Sequence, residues 1–289
     1  MEIQIPLVIF TSLLAWSAGI FGTQCVMALR KEGSEIQIPS LICAAVVLIV
    51  GGIAVVFHLT NPFNIFNGFG HITSGITQEL IAIVLLAVVM VLFFLMLRRS
   101  EDGTVPAWLA VVGLVVCCAL IIAMGHSYMM PSRPSWNSVL QLLSLAGAAL
   151  VLGPATVATI AGLKGAQVES LGFYNVVGSI ANAVLAFAFM AAMQASSGVF
   201  QSFAYYFDPT HPNYALVSGA NMSLFSSDCM TATIAAACGA IIAVIAAFMG
   251  RKSGNWKVWG AVAVVAALIG VIALRVVMYV MGETLFMIY

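Results

Sequence analysis

Eight apolar stretches separated by short polar gaps run the length of this chain, near residues 6–29, 38–59, 77–97, 105–127, 137–163, 171–194, 226–249 and 256–281. Each is long enough for a spanning helix, which needs about 20 apolar residues. The strands of a membrane barrel would instead alternate apolar and polar positions over short segments, and that alternation is missing. The pattern therefore predicts an all-α, polytopic integral membrane protein: a bundle of eight transmembrane helices forming a single domain over residues 1–289. No repeat with a period of about 20–50 residues and no low-complexity linker divides the chain. A split into two four-helix halves around Asn137 is nevertheless compatible with the spacing.

The basic residues fall unevenly between the stretches. Arg30 and Lys31, Arg98 and Arg99, Lys164, and Arg251, Lys252 and Lys257 occupy the first, third, fifth and seventh gaps, while the even gaps hold only Arg133. By the positive-inside rule the odd gaps are cytoplasmic, so both termini and the even gaps are expected outside. Arg275 lies within an apolar stretch and breaks the pattern. Composition agrees with a membrane class, since 63% of the 289 residues are hydrophobic and 7% are charged. A formal net charge of zero and the lack of a basic tail give no sign of nucleic-acid binding. Glu2 precedes the first apolar run without any Lys or Arg, so that run reads as a retained anchor rather than a signal peptide. Six cysteines are scattered through the helices with no Cys-x-x-Cys, which argues against an iron–sulfur cluster or metal site built by this chain.

Sorting the polar residues by side concentrates the chemistry. All four histidines, at 58, 71, 126 and 211, fall in the outer half, as do Glu79, Asp208, Asp228, Glu283, Arg133 and Arg275. The outer gaps 60–76 and 195–225 are also longer and richer than the inner ones, so they are the expected contact regions for a partner. Such a distribution suggests one outward-opening polar site over an otherwise inert scaffold. Glu79 is its most informative member, because a carboxylate about one turn into a spanning helix costs free energy unless it is paired, hydrated or functional. His58 could face it across the loop 60–76. Arg275, Tyr279 and Glu283 recur every four residues and share one face of the last helix. Each has a structural reading too: Glu79 as a first-turn carboxylate, His58 as a helix C-cap, and Arg275 as a snorkelling cation or the partner of Glu283. A haem between helices would need histidines at facing depths, and here they crowd one side, so no haem is expected.

In sequence the chain resembles the membrane-anchor subunit of dimethyl sulfoxide reductase and related molybdoenzymes. The likeness begins at Pro-Leu-Val-Ile-Phe-Thr (6–11) and is strongest in Phe-His-Leu-Thr-Asn-Pro-Phe-Asn-Ile-Phe-Asn (57–67), continuing to Gln-Glu at 78–79. Later echoes are Tyr128, Pro-Ser-Trp at 134–136, Met-Gln at 193–194, and Arg275 with Tyr279. Thr60 stands where the family usually has Gly, and the segment 195–225 is longer than is usual there. The resemblance implies a multi-pass subunit of the bacterial cytoplasmic (inner) membrane that oxidises menaquinol or another quinol. It also implies an iron–sulfur subunit of the four-cluster ferredoxin type and a molybdopterin catalytic subunit as partners on the outer face. Quinol would be a diffusible substrate, with no haem, cluster or metal held by this chain. Residue by residue, His58 and Glu79 would be the quinol-binding or proton-accepting pair, with Arg275 and Tyr279 beside them. The reading from another class is a secondary transporter or permease with an outward-facing polar pocket, which would predict broken helices and polar groups at mid-depth, with Gly51–Gly52 and Gly153–Pro154 as candidate breaks.

Overall fold

The computed structural model describes residues 4–57, 70–203 and 223–282, and all the regular structure among them is helical. The eight helices are α1 (Ile5–Arg30), α2 (Ser34–Val56), α3 (Gly75–Arg99), α4 (Ala107–Ser127), α5 (Val139–Lys164), α6 (Glu169–Phe203), α7 (Ser227–Ser253) and α8 (Trp256–Val280). Each is long and apolar enough to cross a membrane. A backbone in hydrocarbon must bond to itself, which is why these apolar runs become helices. One end of the bundle gathers the first turn of α1 and the last turn of α8; the other gathers Arg30, Arg98, Arg99, Lys164, Arg251, Lys252 and Lys257. These are called below the terminus end and the basic end.

Two boundaries differ from the sequence expectation. Helix α2 starts one turn before the predicted residue 38 and carries Pro39 inside it. The turn before it is tight, with Lys31 and Gly33 both left-handed (φ 55° and 67°), so the chain re-enters a helix at once. Pro39 leaves only the Glu35 carbonyl without its amide partner, and Glu35 is exposed at the basic end. Helix α6 extends to Phe203, so residues 195–203, expected in an outer loop, are helical. The basic end is tied together by Ser170, which donates to Glu32, and by an Arg30 to Glu32 ion pair of 2.9 Å. The Ser170 hydrogen bond, helped by Arg30, holds the Glu32 carboxyl below its ordinary range against the smaller opposing effect of burial.

The helices pack as two groups of four. Helix α1 packs on α2 and α4, and α3 packs on α4; likewise α5 packs on α6 and α8, and α7 packs on α8. The groups meet through α1 and α5, two helices of 26 residues each that begin at the same end. Gly19 and Gly153 hold the same position along them and lie at their crossing, where a β-carbon on Gly153 would overlap the Gly19 carbonyl oxygen. Close approach at small residues is how helices associate in lipid, where no hydrophobic force drives them together. The Gly153→Val variant is therefore expected to lose about 1–3 kcal/mol or more from overpacking. Gly52→Val, where a β-carbon meets nothing within 4 Å, should change little. Thermal unfolding in detergent checks the pair, and equal melting temperatures would contradict the crossing.

Helix α5 runs unbroken through Gly153 and Pro154, and α2 through Gly51 and Gly52. The carbonyl of Leu150, deprived of its amide by Pro154, is met instead by the backbone of α6 at Gly178, where a β-carbon would overlap it. Asn175 of α6 seals the same place by donating to the Pro154 carbonyl at 3.1 Å and to Leu171 at 2.9 Å.

Candidate functional site

Glu79 is 7% exposed, so burial sets it apart from an ordinary first-turn carboxylate. Helix α3 begins at Gly75, whose missing side chain lets it start against the end of α4: a β-carbon there would come 2.7 Å from that of Ser127. One turn further on, the Glu79 carboxylate accepts a hydrogen bond from the Ser127 hydroxyl. Ser127 also has the Met124 carbonyl within reach, at 3.0 Å.

Beyond Ser127 the chain crosses the terminus end toward α5, and this crossing carries the aromatic part of the site. Tyr128 lies 5.7 Å from Trp136 and 6.4 Å from Tyr279 between ring centroids, and Trp136 and Tyr279 are 5.2 Å apart edge to face. The hydroxyl of Tyr279 donates to that of Tyr128 at 3.3 Å. Three further bonds among the described residues fix this crossing to the end of α8. Ser135 donates to the Met281 carbonyl at 2.5 Å, Trp136 Nε1 to Met278 at 2.6 Å, and Arg133 to Gly282 at 2.7 Å. Arg133 also sits 4.3 Å from the centroid of the Trp136 ring. The one basic residue of the even gaps thus clamps the end of a helix, where carbonyls welcome a cation.

One turn deeper on α8, Arg275 is fully buried, so the snorkelling role does not hold. Its guanidinium donates to Ser144 of α5 and to the Met278 sulfur at 3.5 Å, and it lies 5.9 Å from the Phe189 ring centroid. No carboxylate pairs with it among the described residues. Its Nε and the Oε1 of Gln141 are a buried donor and a buried acceptor, each without a partner there. The phenols of Tyr128 and Tyr279 lie within electrostatic reach of both Glu79 and Arg275. The result is a buried polar line running from α3 through the two tyrosines to α8 and α5.

Three of the four residues singled out in the sequence, Glu79, Arg275 and Tyr279, therefore meet at the terminus end. The fourth, His58, lies outside the described residues, as do Asp208, His211 and Glu283. His71 and His126 are exposed and take no part. Sequence reasoning missed Ser127, Gln141 and Ser144. Uncharged side chains give little signal in a helix, although Gln141 and Ser144, three residues apart on one face of α5, formed a legible pair. It also missed a second set of buried polar groups nearer the basic end, where Gln24 donates to the Gln37 carbonyl at 2.7 Å and Ser17 to Ala44 at 2.8 Å. The scaffold is thus less inert than the ionisable residues alone suggested. Of the six cysteines, all free, Cys118 and Cys238 are exposed. No group of three or more metal-ligating side chains occurs among the described residues. Compared with known proteins, the chain matches no family model and no curated protein.

Proposed function

We propose that this chain is the membrane anchor of a molybdopterin-dependent respiratory reductase of the dimethyl sulfoxide reductase type, and that it oxidises a quinol such as menaquinol at its terminus end. In this reading that end faces the outer side of the bacterial cytoplasmic membrane. A four-cluster iron–sulfur subunit docks there, takes the electrons and passes them to the molybdopterin subunit.

The observation that carries the reading is Glu79: a carboxylate buried in a spanning helix, bonded among the described residues by the Ser127 hydroxyl and set beside a line of phenols that ends at a buried guanidinium. Oxidising a quinol releases two electrons and two protons, so a site needs proton acceptors at the hydroxyls and a route to water. Glu79 supplies a carboxylate acceptor one turn below the bundle's end, and His58 supplies the second acceptor in the same proposal. Arg275 contributes a positive field where negative charge develops as the first proton leaves. Of the residues that carry the resemblance, Tyr128, Trp136 and Tyr279 pack against one another, while the segment 58–67 lies outside the described residues. The permease reading named Gly51–Gly52 and Gly153–Pro154 as candidate breaks, and the helices run unbroken at both.

Titrating the purified complex with a quinol-analogue inhibitor tests the proposal. Saturable binding at one site per chain, displaced by menaquinol, is expected. A complex that binds no analogue would reduce this chain to a structural anchor.

A further inference from the structure

Helices α4 and α6 belong to different four-helix groups and stand apart, leaving a groove of about 450 Å³ whose floor is α1 and α5. Its surface is almost wholly apolar. The Thr23 hydroxyl on its floor is already bonded to the Gly19 carbonyl at 2.8 Å. Short of Tyr174 at its basic end, the groove offers a ligand no free hydrogen-bond donor, so what lies in the hydrocarbon zone is an apolar chain, and an acyl chain fits. Along α5 the lining runs from Leu142 to Pro154, which is about 18 Å of helix in a hydrocarbon core of roughly 30 Å.

The two ends differ. Toward the terminus end α4 closes on α5, and a β-carbon on Gly125 would come 2.5 Å from Leu142. That contact separates the groove from Ser127 and Glu79. Toward the basic end the groove finishes at Tyr174, whose phenol lies close to the exposed Arg30 guanidinium. Glu32 engages Arg30 through Nε at 2.9 Å, which leaves the terminal nitrogens to be shared between the Tyr174 phenol and a further anion. Lys31 and Lys164, at the ends of the two floor helices, add positive charge at this end.

We propose that this groove binds one acyl chain of an anionic phospholipid from the leaflet at the basic end, with the lipid phosphate held by Arg30 and Tyr174. The lipid fills the seam between the two four-helix groups and ties α4 of one to α6 of the other. The site is separate from the Glu79 cluster and stands independently of the function proposed for it.

Native mass spectrometry of the full chain in mild detergent, titrated with phosphatidylglycerol and in parallel with phosphatidylcholine, tests this. The wild-type chain should retain one phosphatidylglycerol in preference to phosphatidylcholine. Gly22→Leu fills the floor where a β-carbon meets nothing nearer than 3.9 Å. Cys118→Phe fills the groove from the exposed face of α4. Both variants should weaken retention of either lipid by about tenfold, and Arg30→Gln should keep the lipid but lose the preference for phosphatidylglycerol. The proposal is overturned by a wild-type chain without preference, by filled variants that hold lipid as the wild type does, or by an Arg30→Gln variant whose preference is intact.

Discussion

Glu79→Gln should abolish quinol-linked turnover while leaving the complex assembled. The amide has nearly the shape of the carboxylate, and its oxygen can still accept from Ser127, so the contact that joins the start of α3 to the end of α4 survives. What is lost is basicity. A positioned general base contributes about 10²–10⁴-fold to a proton transfer, and a glutamine in a site this closed has no solvent to take its place. The measurement is reduction of the terminal acceptor by the complex, driven once by a quinol and once by an artificial donor that feeds the catalytic subunit directly. Only the quinol-driven rate should fall. Equal quinol-driven rates in variant and wild type would remove Glu79 from the site.

Arg275→Met should separate stability from function in the opposite sense to an ordinary core substitution. Arg275 is fully buried, and its bonds go to a neutral hydroxyl and a thioether rather than to a carboxylate among the described residues. Its desolvation is therefore poorly compensated. Replacing buried charges by apolar residues of similar volume is often neutral or stabilising by about 1–4 kcal/mol. Methionine also suits the Phe189 and Met278 surroundings. The melting temperature of Arg275→Met should accordingly match or exceed that of the wild type. Quinol turnover should fall by about 10²-fold, the scale of losing one preorganised electrostatic stabiliser. A variant that melts lower and turns over normally would make Arg275 a strut between α5 and α8.

Part of this site is legible in the amino-acid sequence, and the rest is hidden for a physical reason. Charged residues in a spanning helix announce themselves because their burial is costly, so Glu79 and Arg275 stand out among their apolar neighbours. Tyr279 follows from its place four residues after Arg275. Ser127, Ser144 and Gln141 do not stand out, because a neutral hydroxyl or amide can satisfy itself on its own helix: Ser144 and Thr156 both bond to carbonyls of preceding turns. The full length of α6 escapes the hydropathy pattern because polar serines near its end read as loop, although serine is tolerated wherever the helix ladder continues. The start of α2 escapes it because Pro39 looks like a helix start, whereas the left-handed turn at Lys31 and Gly33 sets it earlier.

The class of the protein, the eight spanning-length helices and, among the described residues, the polar groups that share an end are written in the chain itself. Those properties follow from local composition, because hydrocarbon thickness fixes how long an apolar run must be and the lack of water fixes its backbone as helix. Which polar residues meet is settled by packing alone. Helices that are apolar on every side carry no stripe to show which face turns inward. Their rotation and pairing depend instead on close contacts between distant segments, such as Gly19 with Gly153, Gly75 with Ser127 and Trp136 with Met278. Those contacts bring Glu79, Tyr128, Tyr279 and Arg275 into one line and open the seam between α4 and α6.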